Sequence, residues 1–165
     1  MKKILCILSL CIISTTGFTQ TEALPNAFLK TLDGQSLNLQ DLGKSGKITV
    51  IVFWTTWSGP CKRALNDINT HYERWQKEYD LELIAISLDD KRSADKVPEI
   101  VKEKGWKYRI LVQPKEKLNP YEMLEGLMHR TLLLDQSGKI VFEQKYFNPA
   151  KDVLELEDRI KELKK

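Results

Sequence analysis

"VIVFWTTWSGPCKRAL", residues 50–65, carries an uninterrupted apolar run into a tryptophan-flanked loop and then into an amphipathic helix. The run from Ile48 to Trp54 is rich in β-branched and aromatic side chains without polar alternation, the pattern of a central strand buried on both faces. From Cys61 to about Tyr79, the residues Ala64, Leu65, Ile68, Tyr72, Trp75 and Tyr79 recur at steps of three and four. That period predicts a helix with one face in the core. Ser58 has the hydroxyl favoured at a helix N-cap, and Pro60 suits the first turn. Cys61 therefore lies at the start of the long helix, with an oxygen, on Ser58, three residues before it.

Working outward, Ala27 to Lys30 and Ser36 to Leu39 form two short strands around the Asp33-Gly34 turn. Leu81 to Leu88 is a second buried strand, Ser93 to Lys104 a helix, and Tyr108 to Val112 a further strand. Pro120 to Gly126 reads as a helical turn or two. Thr131 to Leu134 and Lys139 to Phe147 make a hairpin about Asp135-Gln136-Ser137-Gly138, and Pro149 to Leu163 a charged amphipathic helix. The expected architecture is α/β: a central mixed β-sheet with helices on both faces and an N-terminal β-hairpin. No repeat or low-complexity linker divides it.

Lys2 and Lys3, the apolar run Ile4 to Ile13 and the small-polar exit Ser14 to Gln20 read as a secretory signal peptide over 1–20, leaving a domain over 21–165. Cleavage after Gly17 and after Gln20 both fit. The run is short of the ~20 apolar residues of a membrane span, so no stable membrane insertion is expected after cleavage. Cys11 as a lipid-modified cysteine is disfavoured by Leu10, where a small residue is wanted. The expected location is exported, periplasmic or extracytoplasmic. Cys6 and Cys11 leave with the signal, so the mature chain keeps one thiol, Cys61, and cannot close an internal disulfide. Without Lys2 and Lys3 the basic residues number 26 − 2 = 24 against 23 acidic, a balance that gives no argument for nucleic acid as a partner.

The element order, with "ALPNAFLKTLDGQSLNLQDLGKSGKITVIVFWTTW" at its start and "TLLLDQSGKIV" near its end, resembles the thioredoxin fold. It is most similar to exported thiol–disulfide oxidoreductases of the TlpA/ResA type. The resemblance implies a Cys-X-X-Cys pair at the N-terminus of the long helix, the first cysteine attacking and the second resolving. Here the attacking position is Ser58. It also implies a cis-proline before the strand of the last hairpin, at the position of His129 in "GLMHRTLLLD". A cis bond before a non-proline residue costs about 2.5–4 kcal/mol, so a trans bond and a reshaped loop are expected. Val52 stands where such proteins often hold a proton-relaying polar group. Serine does not exchange with disulfides at neutral pH, so ordinary two-thiol exchange is not expected.

Two functional readings follow. The first is a redox-silent or single-thiol protein that binds a protein or peptide partner in the old active-site groove, on Trp57, Gly59, Pro60, Met128, His129 and Arg130. An exposed tryptophan beside a groove is a usual anchor. The second is a one-cysteine enzyme, a thiol peroxidase or residual oxidoreductase. Peroxiredoxins, relatives on the same fold, place their reactive cysteine at the position of Cys61, with a hydroxyl where Ser58 stands and a cation near His129. His129 or Arg130 would then face the thiolate, with Lys62 and Arg63 adding field. The peroxidase motif also wants a proline where Trp54 sits. Cys61 and His129 alone fall short of a zinc ligand set, His71 reads as solvated, and neither metal nor cofactor is expected. Trp54 and Trp57 are expected to flank the site, Trp75 and Trp106 to pack.

Overall fold

The computed structural model describes residues 23–114, 124, 126–146 and 148–164. The signal segment 1–20, most of the helical turn proposed for 120–126 and Phe147 lie outside these residues. The strands are β1 (Phe28–Thr31), β2 (Ser36–Asn38), β3 (Ile48–Trp54), β4 (Leu81–Ser87), β5 (Arg109–Val112), β6 (Arg130–Leu134) and β7 (Ile140–Lys145). The helices are α1 (Gly59–Tyr79), α2 (Val97–Lys104) and α3 (Pro149–Lys164).

One mixed sheet runs in the order β2-β1-β5-β4-β3-β6-β7. β3 and β4 pair in parallel, as do β4 and β5, while β6 lies antiparallel to β3 and β7 antiparallel to β6. Every residue of β3 is buried, as its continuous apolar run requires of a strand with a neighbour on each side and cover on each face. Side chains alternate across it. Val50, Val52 and Trp54 join α1, α2 and α3 in one core, and Ile51 and Phe53 join the other.

The two faces are covered differently. Leu65, Ile68 and Trp75 of α1, Val97 of α2, and Leu156 and Ile160 of α3 fill the first. The second is closed by Leu24, Ala27, Leu39, Leu42 and Leu124, with Leu39 and Leu42 on a 3₁₀ helix spanning Leu39–Ser45. The β6–β7 turn rests on this 3₁₀ segment through a backbone contact that only glycine permits. A Cβ on Gly138, whose φ is +82°, would lie 2.5 Å from the Gly43 carbonyl oxygen.

Element ends differ from expectation where specific residues intervene. Leu39 enters the 3₁₀ helix because the Asn38 side chain accepts the Gln40 N–H at 2.9 Å and caps it. α2 starts at Val97 rather than Ser93, since Pro98 fixes the first helical turn there and a 3₁₀ turn, Ala94–Lys96, precedes it. β7 stops at Lys145 because Tyr146 turns to φ 55°, outside the strand region.

Candidate functional site

Ser58 holds extended backbone angles, φ −82° and ψ 103°, and caps α1. Its Oγ accepts the Cys61 N–H at 3.3 Å, as the serine-proline pattern predicted. The loop before it is fixed from the neighbouring strand. The buried Asp89, just past β4, accepts the Thr56 N–H at 2.8 Å, the Thr56 hydroxyl at 2.7 Å and the Ser87 hydroxyl at 2.8 Å. With Thr55 and Thr56 held inward, Trp57 is turned out and is 63% exposed.

Across from the helix start, no peptide bond is cis among the described residues, so the bond before His129 is trans, as expected. His129 takes φ 62°, a conformation histidine tolerates better than most side chains. Its main-chain oxygen accepts the Tyr146 N–H at 2.9 Å, so two left-handed residues close the end of the β6–β7 ladder together. This turn brings Nδ1 of His129 to 3.0 Å from Sγ of Cys61. With the imidazole proton on Nε2, Nδ1 accepts the thiol S–H.

Trp57 meets the His129 ring edge-on at 5.9 Å, and Tyr146 stacks on its other side at 5.8 Å. These rings wall a cavity of about 460 Å³ whose lining includes Cys61, Ser58, Gly59, Pro60, Arg130 and Thr131. Cys61 is 8% exposed. Burial pushes its thiol above the ordinary range, and the hydrogen bonds from Ser58 and the main chain of Thr55 draw it back only in part.

Four expectations are corrected. Met128 is absent from the cavity lining and packs against the second core, because the turn over 126–129, ending in the left-handed His129, carries it to that side. Arg130 lines the cavity, but its guanidinium is paired with Glu143 on β7, so it does not serve the thiol. Trp54 does not flank the site: it is fully buried, edge-on to Trp106 at 5.0 Å. His71 is not simply solvated but half-buried, its ring stacked on Trp75 at 5.5 Å. Trp75 and Trp106 are buried, as read, and Val52 is apolar and buried on the cavity wall. Among the described residues no group of three or more His, Cys, Asp or Glu is placed to hold a metal ion.

Sequence reasoning missed three participants. Tyr146 carries the clearest signal in hindsight, because hairpin register pairs Arg130 with Lys145 and so sets Tyr146 opposite His129. Thr131 alternates onto the α1 face opposite Val52. Asp89 stands in the charged "LDDKR" stretch, where composition does not single out one member as buried.

The sequence profile of the AhpC/TSA family matches residues 21–143. The chain is 31% identical over 132 residues to the thiol–disulfide oxidoreductase ResA of Bacillus anthracis, covering 79% of this chain and 72% of that one. It is 25% identical over 121 residues to the sporulation thiol–disulfide oxidoreductase A of Bacillus subtilis, covering 72% and 70%. Among solved structures, an uncharacterized thioredoxin-like protein from Porphyromonas gingivalis superposes with a TM-score of 0.72 at 30% identity, over 86% of this chain and 91% of that one. A thiol:disulfide interchange protein DsbE from Chlorobium tepidum, 21% identical, shares the fold with a TM-score of 0.71, over 90% and 100%. Profile, pairwise identity and superposition agree with the strand order and the helix-capping loop, and the chain belongs to the AhpC/TSA family as a thioredoxin-fold relative of the ResA-type thiol–disulfide oxidoreductases.

Proposed function

We propose that this protein acts outside the cytoplasm as a ResA-type member that does not run two-thiol disulfide exchange. Its groove binds an extended segment of a partner protein. The observation that carries the reading is Trp57, 63% exposed above a cavity of about 460 Å³ that holds a single thiol. An aromatic side chain left in water beside a concave, largely apolar site supplies contact area at small entropic cost. Ser58, by contrast, is committed to the helix cap and contributes no exchangeable sulfur. Export rests on the basic-apolar-polar N-terminus.

The test is binding of wild type and Trp57→Ala to an array of extended peptides, beside an insulin-reduction assay. Trp57→Ala is expected to weaken the captured peptides by about 1–2 kcal/mol or more, with little loss of stability. Equal capture by both proteins, or insulin reduction abolished by Cys61→Ala, refutes the reading.

A second reading is favoured by the 3.0 Å contact between Cys61 Sγ and His129 Nδ1. On it Cys61 reduces a peroxide to the alcohol and becomes a sulfenic acid. It ranks second because burial holds the thiol protonated. Sulfenic acid detected by mass after brief peroxide exposure, and slowed in Ser58→Ala and His129→Ala, would put it first.

A further inference from the structure

The cavity is more than a groove with a cysteine under it. Thr131, 1% exposed, lines it from β6, and no described residue hydrogen-bonds its hydroxyl. A hydroxyl on the cavity wall with no described protein partner is free to hydrogen-bond something entering the cavity. The Cys61 sulfur sits on the cavity wall, 3.0 Å from an imidazole nitrogen able to take its proton. The volume of about 460 Å³ falls within the roughly 300–1,000 Å³ typical of small-molecule sites.

We propose that Cys61 is a single-thiol acceptor for low-molecular-weight disulfides of the amino-acid or peptide type, such as cystine or oxidised glutathione. The Cys61 S–H proton passes to His129 Nδ1, and the sulfur attacks one sulfur of R–S–S–R. A Cys61–S–S–R bond forms as the R–S–S–R bond breaks. The electron pair leaves on R–S⁻, which takes the proton from His129 and departs as R–SH. The incoming disulfide is the oxidant: half of it is reduced to thiol, and Cys61 is oxidised to the disulfide level. The retained half lies between the Trp57 and Tyr146 rings with a polar atom on Thr131. Cys61 is the one free cysteine among the described residues, so no neighbouring thiol displaces it and the adduct lasts until an external thiol arrives. A sulfur only 8% exposed admits a small disulfide that threads the cavity and excludes one fixed on a folded surface. The inference goes beyond the peptide-binding reading and does not rest on it: the adduct is read by mass on Cys61 and peptide capture by its loss in Trp57→Ala, so the two fail separately.

The test is intact-mass spectrometry of the reduced, desalted protein incubated with cystine, with oxidised glutathione, and separately with insulin. Expected is one small-molecule adduct per chain, removed by dithiothreitol and absent from Cys61→Ala. His129→Asn keeps a side chain that tolerates positive φ, so it should keep its melting temperature while adduct formation slows about 100-fold, the low end of general-base effects. Thr131→Val should speed loss of the adduct to external thiol. No adduct on the folded protein, when the urea-unfolded chain is labelled, overturns the proposal. So does an undiminished rate in His129→Asn, or an insulin adduct formed as fast as the small ones.

Discussion

Ser58→Ala separates the structural task of Ser58 from any chemical one. The hydroxyl accepts the Cys61 N–H at 3.3 Å, a long bond, which argues for the lower half of the 0.5–2 kcal/mol spanned by N-cap serines. Ser58 is 5% exposed and Cys61 8%, so water does not readily replace the lost acceptor, and this pushes the other way. The two considerations together give about 1–1.5 kcal/mol. With a urea dependence of about 2 kcal/mol per molar, the unfolding midpoint should fall by roughly 0.5–0.8 M. Because the Ser58 side chain separately hydrogen-bonds the Cys61 side chain and draws its thiol downward, its loss should also move the alkylation midpoint of Cys61 to higher pH. Ser58→Asp is the control, for it restores the acceptor and should recover most of the stability while still disfavouring the thiolate. Equal losses in Ser58→Ala and Ser58→Asp, or an unmoved midpoint in the first, would refute the cap as the reason for this serine.

Two further outcomes test the scaffold. Gly138→Ala places a Cβ 2.5 Å from the Gly43 carbonyl oxygen at φ +82°, so the strained backbone and the overlap together should cost about 2–5 kcal/mol by denaturant unfolding. At the α1–α3 contact, hydrogen bonds from Arg74 hold the Glu157 carboxyl down at about 2, so its contribution is present above the unfolded carboxylate range and lost as pH falls towards 2. Arg74 is 40% exposed, and solvent screening reduces the effect to about 1–2 kcal/mol, seen as a fall in stability between about pH 4 and pH 2 that is flattened in Glu157→Gln.

Much of the fold was legible because the strongest signals are long and periodic. β3 is a continuous apolar run, and α1 repeats its buried residues at helical spacing from Ala64 to Trp75. The site was legible where chemistry is local: the Ser58 cap, Trp57 turned to solvent, His129 opposite Cys61. It was obscure where position depends on partners far along the chain. Asp89 becomes a buried anchor only because Thr56, 33 residues away, brings its N–H and hydroxyl to it. Tyr146 enters the site through two positive φ angles, and no composition rule marks a tyrosine for that conformation. Arg130 looked available to a thiolate until strand register placed Glu143 within reach.

Ser58→Cys tests how much disulfide-exchange chemistry a sulfur at this position alone would supply. The Ser58 side chain already points over the first turn of α1 towards residue 61, so a thiol there lies beside Cys61, and mild oxidation should take the protein from two free thiols to none. The outer thiol gains the favourable field of the helix start, which stabilises a thiolate. Insulin reduction by this variant should nevertheless stay weak, for two reasons on opposite sides of the site. Val52 is apolar and 3% exposed, so a proton leaving the inner thiol goes to His129 alone, on the side from which an incoming chain approaches. His129 occupies the approach to that thiol, 3.0 Å from its sulfur, where an incoming chain must lie. Val52→Asp in the Ser58→Cys background supplies a proton acceptor and should raise turnover even though the buried carboxylate lowers stability. Failure of Ser58→Cys to close a disulfide would refute the helix-start geometry, and full reductase activity from that single change would show that neither Val52 nor His129 limits the site.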